Sequence, residues 1–251
     1  MKKPRRTIGP SLLRRLRGAR ILRPLFFAAF GRSYEALWDS FAITAGTARE
    51  AILAGVGDDE FRFWETGKQY ADRYVLPLVR PDSVVLDLGA GIGRVARAVA
   101  PHCRRIVLVD VSGSMLRRAR RAFRGVANAD FVKTTGSSLS AIDDATVDVV
   151  YSFLVLQHIE REDVIRYFDE IRRILKPHGV FRFQVPNLTD LGQLNTYVDY
   201  AIGTNSRSLG HMRYYTVEEL SVLLPRLGLT VDGIESGESL VVTARRLSAR
   251  A

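Results

Sequence analysis

The sequence predicts an α/β protein built on a doubly wound, mostly parallel sheet. Three observations point there. Short β-rich runs alternate with helix-spaced stretches from Ser83 to Val185. The first run, Ser83–Leu86, is followed by Asp87 and by three glycines at every second position, Gly89, Gly91 and Gly93, before helical spacing resumes. The second run, RIVLVD over Arg105–Asp110, also ends in an acid. Strand–turn–helix alternation implies parallel strands joined by right-handed crossovers, with ligands at the carboxyl ends of the strands.

Residues 1–33 form a basic arm ahead of that core. They carry ten of the 37 Lys and Arg and none of the 27 Asp and Glu. The remaining 27 basic residues balance the 27 acids, so the whole net charge of +10 belongs to the arm. Pro4, Gly9 and Pro10 break any early helix, and Ser11 is placed to cap SLLRRLRGARIL. Three readings compete for the arm: a solubilising tail, attachment to an anionic membrane surface through the arginines and the PLFFAAF patch, and nucleic-acid contact. No aromatic residue interleaves with the charges before Phe26, which weighs against the third. An organelle transit peptide shares the acid-free, Arg-rich composition, but this arm is poor in serine.

Residues 34–251 are predicted to form one domain. Residues 34–80 read as a helical cap: YEALWDSFA, then TAREAILAG, then a longer helix capped by Asp58 and Asp59 and stopped by Pro81. On that longer helix Phe61, Trp64, Ala71, Val75 and Leu78 fall on one face. Strands are expected over 83–87, 105–110, 129–133, 147–153 and 179–185, with helices over 91–101, 113–124 and 161–175. The stretch 186–215 is long and polar, and it is predicted to hold a short helix (LGQLNTYVDYAIG) and a substrate lid. TVEELSVLLPRLG reads as a helix with Thr216 as N-cap and Glu219 closing a capping box. LTVDGIES and SLVVTARR then read as a β-hairpin around Gly237.

Composition removes several classes. No apolar run approaches the roughly 20 residues that span a bilayer. The single cysteine, Cys103, reads as a buried small hydrophobe, and a reducing cytoplasm is the expected setting. Four scattered histidines and one cysteine show no metal-ligand spacing.

The motifs carry a resemblance. The D-x-G-x-G-x-G pattern of Asp87–Gly93 resembles motif I of the class I S-adenosylmethionine-dependent methyltransferases, and a dinucleotide fingerprint would place its third glycine one position later. DVSGSML, TVDVVYSFLVLQHI and EIRRILKPHGVFRFQV resemble the family's later segments, in the family's order. Trp38, Phe63, Trp64 and Gly67 resemble the W…W-x-x-G segment that precedes motif I in similar bacterial enzymes. The resemblance implies a seven-stranded sheet whose last strand runs antiparallel, preceded by a helical extension.

It also implies a site for S-adenosylmethionine. Asp87, Gly89, Ala90, Gly91 and Gly93 would hold its methionine end, Asp110 with Val111 its ribose, and Met115 its adenine. Where the family often has an acid for the adenine amino group, this chain has Gly136, Ser137 or Ser138, so a serine hydroxyl or a backbone carbonyl would have to serve. Ser152, Phe153 and Leu154 would flank the sulfonium. His158, directly after strand four, is the first candidate base, and His211 in HMRYY the second; imidazole titrates near neutrality, which suits the role. An equal alternative is that His158 only caps the next helix. The expected activity is methyl transfer to an oxygen or nitrogen of a small molecule. RNA methylation through the arm, and a non-catalytic S-adenosylmethionine-binding subunit, are the alternatives. The oligomeric state and the acceptor are not legible.

Overall fold

A computed structural model describes residues 33–203 and 211–247. Apart from Ser33, the basic arm lies outside them, and so does the helix start expected at Ser11. Among the described residues three helices come first: α1 (Tyr34–Phe41), α2 (Ala45–Ile52) and α3 (Glu60–Tyr70). Then follow β1 (Val84–Leu88), α4 (Ala96–Val99), β2 (Arg105–Asp110), α5 (Gly113–Ala122), β3 (Ala129–Lys133), β4 (Val147–Ser152), α6 (Arg161–Ile174) and β5 (Leu175–Pro186). The chain ends with α7 (Leu191–Gly203), α8 (Val217–Arg226), β6 (Leu229–Ser236) and β7 (Ser239–Arg246).

The sheet order is β3-β2-β1-β4-β5-β7-β6. Every pairing among β1 to β5 is parallel, and β7 runs antiparallel to both of its neighbours. This is the doubly wound, seven-stranded sheet with an antiparallel last strand that the sequence predicted. The central strands β1 and β2 are buried on both faces, as crossover helices require. Their side chains alternate: Leu86, Leu88, Val107 and Val109 pack with α6, while Val85, Ile106 and Leu108 pack with α4 and α5.

Several boundaries differ from the sequence reading. The helix expected from residue 91 begins only at Ala96, because Gly91 and Gly93 adopt φ of +58° and +86°, which no right-handed helix contains. On α3, Asp59 caps as expected by accepting from the Arg62 amide. The buried face is Phe63, Gly67, Ala71 and Val75, whereas Phe61 is 79% exposed. A π-helical turn over Ala71–Val75 follows this α-helical part. Thr216 caps α8, but the Glu219 carboxylate pairs with Arg161 instead of closing a box.

β5 starts four residues earlier than expected, with a register shift opposite β4 across Lys176–Gly179. His178 sits in that bulge at φ +63°. A left-handed backbone costs a β-carbon-bearing residue about 1–2 kcal/mol. His178→Gly is therefore expected to stabilise the fold by about 1 kcal/mol, read as a higher urea midpoint at unchanged slope. No helix among the described residues is long and apolar enough to cross a membrane.

Candidate active site

The strand order reverses between β1 and β4, and a crevice opens there at the carboxyl ends of the strands. The glycine turn after β1 forms its floor. Gly89 and Ala90 donate to the Val109 carbonyl at 2.8 and 3.0 Å, which ties the turn to β2. A β-carbon on Gly93 would stand 2.4 Å from the Phe123 ring, so this glycine serves helix packing. One on Gly91 would stand 2.7 Å from the tip of Ile52, on the crevice side.

Asp110 is the wall. It is 8% exposed, and both carboxylate oxygens accept backbone amides: Oδ2 from Gly91 at 2.8 Å and Oδ1 from Ser112 at 2.8 Å. Burial pushes its carboxyl up to about 6, against the lowering effect of those amides. Asp110 still borders the cavity, together with Gly89, Gly91, Val111, Met115, Phe153 and Leu154. Sequence reasoning named all of these, and the fold brings them to one place.

The other named residues lie elsewhere. Asp87 points to the opposite face of the sheet, where burial pushes it up to about 7, opposed by the Tyr151 hydroxyl and the Arg94 guanidinium. Ala90 and Gly93 are structural parts of the turn. Ser152 is fully buried and donates to the Leu88 carbonyl at 2.9 Å. Ser138 is committed to its own turn: its hydroxyl accepts from the Ser140 amide and its carbonyl from Thr134 Oγ1. Of the three residues named there, Gly136 borders the cavity, together with Thr134, and Ser137 and Ser138 do not. His158 stands behind Trp38, ring centroids 5.4 Å apart, and its Nε2 lies 3.2 Å from Gln157 Nε2. His211 stacks on Tyr200 of α7 at 5.2 Å. Cys103 is buried and its thiol is pushed up to about 11, as its bland reading predicts.

The roof comes from the helical cap expected over residues 34–80; of its residues Trp38 was named from the sequence, Tyr34 and Ile52 were not. Tyr34 and Trp38 on α1, and Ile52 on α2, close the crevice from above. The Tyr34 hydroxyl donates to Asp163 at 3.0 Å and accepts from the Glu160 amide at 2.8 Å, which clamps α1 onto the start of α6. Asp39 accepts from the Ser112 hydroxyl and the Ser114 amide, and Arg118 donates to the Ala42 and Ile43 carbonyls, so the cap is pinned to α5 as well. The signal in the sequence was the Tyr34, Trp38 spacing of four, which places both rings on one helical face. Beside the roof lie residues 211–215: the Arg213 amide donates to the Gln157 carbonyl at 2.8 Å, and its guanidinium pairs with Glu160.

The enclosed space is about 80 Å³, room for several waters, whereas ligand pockets run to about 300–1,000 Å³. The donor and acceptor set nevertheless suits an adenosyl cofactor: a carboxylate at the strand end, bare glycine backbone, and apolar walls from Met115 and Phe153. The Ile52 and Val155 side chains lie directly against the bare backbone of Gly91 and Gly89. No cluster of His, Cys, Asp and Glu suited to a metal occurs among the described residues.

Comparison with known proteins agrees with this architecture. Residues 86–183 match the methyltransferase domain family Methyltransf_11. The chain is 36% identical over 107 residues to the ubiquinone/menaquinone biosynthesis C-methyltransferase UbiE of Hydrogenovibrio crunogenus, covering 40% of this chain and 41% of the relative. It is 30% identical over 137 residues to the demethylmenaquinone methyltransferase of Clavibacter sepedonicus, covering 55% and 52%. The chain thus spans about half the length of these curated relatives, or less. Among solved structures, the complex between the Haloferax volcanii Trm112 methyltransferase activator and a methyltransferase gives a TM-score of 0.62 at 20% identity, over 80% of this chain and 97% of that one. The glycine turn at the switch point, the acid on the neighbouring strand and the matched segment agree: residues 86–183 of this chain are similar to a methyltransferase domain, on the sheet order given above.

Proposed function

We propose that the protein transfers the methyl group of S-adenosylmethionine to a small-molecule acceptor. The observation that carries this reading is Asp110, held rigid by two backbone amides while it faces a cavity floored by left-handed glycines. When bound, S-adenosylmethionine supplies a methyl group already activated by its sulfonium. The chain's own task is then positioning. Asp110 and Val111 would hold the ribose, and Met115 and Gly136 would flank the adenine. Phe153 and Leu154 would face the reacting end, the latter fixed at φ +62°. The small-molecule class is supported by the two quinone-pathway relatives.

Calorimetric titration tests the first half: S-adenosylmethionine should bind and NAD should not. Transfer of labelled methyl to acceptor pools tests the second, and separates an enzyme from a binding-only subunit. His158 is the candidate base for an oxygen acceptor, reached past Trp38. His158→Ala is expected to lower turnover about 10²-fold or more while leaving cofactor affinity unchanged. Full turnover in that variant reduces His158 to a cap for the α6 entry.

A further inference from the structure

Four side chains that border the crevice carry oxygen: Tyr34, Asp110, Thr134 and Tyr167. Hydrogen-bond accounting separates the last from the others. Asp110 accepts the Gly91 and Ser112 amides and is the ribose acceptor of the reading above. The Tyr34 hydroxyl donates to Asp163 and accepts from the Glu160 amide. The Thr134 hydroxyl donates to the Ser138 carbonyl and accepts from the Gly136 amide at 3.4 Å. Tyr167 Oη, on α6, lies 3.3 Å from Thr134 Oγ1. A hydroxyl has a single hydrogen. That of Thr134 is committed to Ser138, so Tyr167 is the donor of this pair. Its oxygen lone pairs then have no hydrogen-bond partner among the described residues, on a side chain that is 2% exposed. Burial pushes the phenol above the usual tyrosine range, so it keeps its hydrogen. Buried polar atoms ordinarily find a partner, and this oxygen sits on the crevice wall.

The place of Tyr167 along the crevice says which donor it meets. β3 pairs in parallel with β2, Asp110 opposite Lys133, so Thr134 stands one strand beyond Asp110, away from β1 and β4. Phe153 and Leu154, which would face the reacting end, follow β4 on the other side. A nucleoside whose ribose rests on Asp110 therefore carries its base toward Thr134, Gly136 and Tyr167. Ser137 and Ser138 do not border the crevice, which leaves Tyr167 as the side-chain acceptor at that end. A 6-aminopurine offers an N–H donor on its outer edge. A 6-oxopurine offers a carbonyl oxygen instead, which would meet the Tyr167 lone pairs and form no bond. A site built to bind an N–H discriminates against the analogue lacking it, because the buried partner is left unpaired.

We propose that Tyr167 selects adenine in the bound cofactor by accepting its exocyclic amino group, with Thr134 as the positioning residue that turns the phenol hydrogen away from the crevice. This rests on the methyl-transfer reading, through the ribose on Asp110. The test is calorimetric titration of the full chain with S-adenosylhomocysteine and with its 6-oxo counterpart, S-inosylhomocysteine. Wild type should favour the adenine compound by about tenfold or more. Tyr167→Phe keeps the ring in the core and removes the oxygen, and the ratio of the two dissociation constants should fall below about threefold. Thr134→Val frees the phenol hydrogen to turn to the crevice and donate to a 6-oxo group, and should narrow the ratio by about threefold or more. The ratio is taken within one protein, so a loss common to both compounds cancels, and circular dichroism checks that each variant folds. A wild-type ratio in either variant, or no preference in wild type, would overturn the proposal and leave the methyl-transfer reading standing. Failure of wild type to bind either compound would end both.

Discussion

Asp110→Ala is expected to weaken S-adenosylmethionine binding at least tenfold, and to lower stability at the same time. The side chain does two jobs. It satisfies the Gly91 and Ser112 amides, and it borders the cavity. Removing it leaves two buried N–H groups unpaired, at about 1–3 kcal/mol each, and frees the floor of the site to relax. It also removes the proposed ribose acceptor. Asp110→Asn separates the two jobs in part, since its carbonyl still serves one amide while its NH₂ opposes the other. Both variants retaining the wild-type dissociation constant by calorimetry would end the ribose role.

A pH dependence follows from the same carboxyl. Burial raises it to about 6 in the folded chain, above about 3.9 for an unperturbed Asp. The folded state therefore binds the proton more tightly than the unfolded one. The stability this group contributes is fully present below about pH 4 and is lost as pH rises to about 6. Asp87, raised to about 7, acts in the same direction over a wider window. Cofactor affinity runs the opposite way, because the ionised form is the better acceptor. Binding is expected to weaken several-fold between pH 7.5 and pH 5 in wild type, and to be flat in Asp110→Asn. An equally steep profile in both would place the titration elsewhere.

What the sequence disclosed and what it withheld divide along one physical line. Gly89, Gly91, Gly93 and Asp110 were legible because each meets a local demand: a left-handed turn, a close approach, an acid at a strand end. The sheet was legible because helix and strand periods alternate. The clamp of the roof was not. Tyr34 reaches Glu160 and Asp163 across more than a hundred residues, and nothing local marks that pairing. Gly136, Ser137 and Ser138 all stood at the right distance along the chain, but Gly136 takes φ +106°, and it is Gly136 with Thr134, not the two serines, that reaches the wall. Asp87 shows the limit of motif reading: one strand position flips a side chain to the other face, and Leu88 rather than Asp87 meets the cavity.

Gly67→Ala is expected to be among the most damaging single-methyl changes in the chain. Gly67 lies in the middle of α3, where Ala ordinarily gains about 1 kcal/mol over Gly. Here packing reverses the sign. A β-carbon at residue 67 would stand 2.1 Å from the Arg94 carbonyl oxygen and 2.8 Å from Arg94 Cγ. The first of these is backbone, at the end of the glycine turn, and cannot rotate away. Either α3 withdraws by on the order of 1 Å or the turn shifts, and overpacking of that kind costs about 1–3 kcal/mol, occasionally more. With the steric cost ahead of the propensity gain, the melting midpoint should fall by on the order of 5 °C. Cofactor affinity should fall with it, because the displaced segment carries the floor of the site. Gly237→Ala, where no atom lies within 4 Å of the new methyl group, should leave both unchanged. A Gly67→Ala protein that melts and binds like wild type would mean that α3 does not rest on the glycine turn, and the W-x-x-G spacing would lose its structural reason.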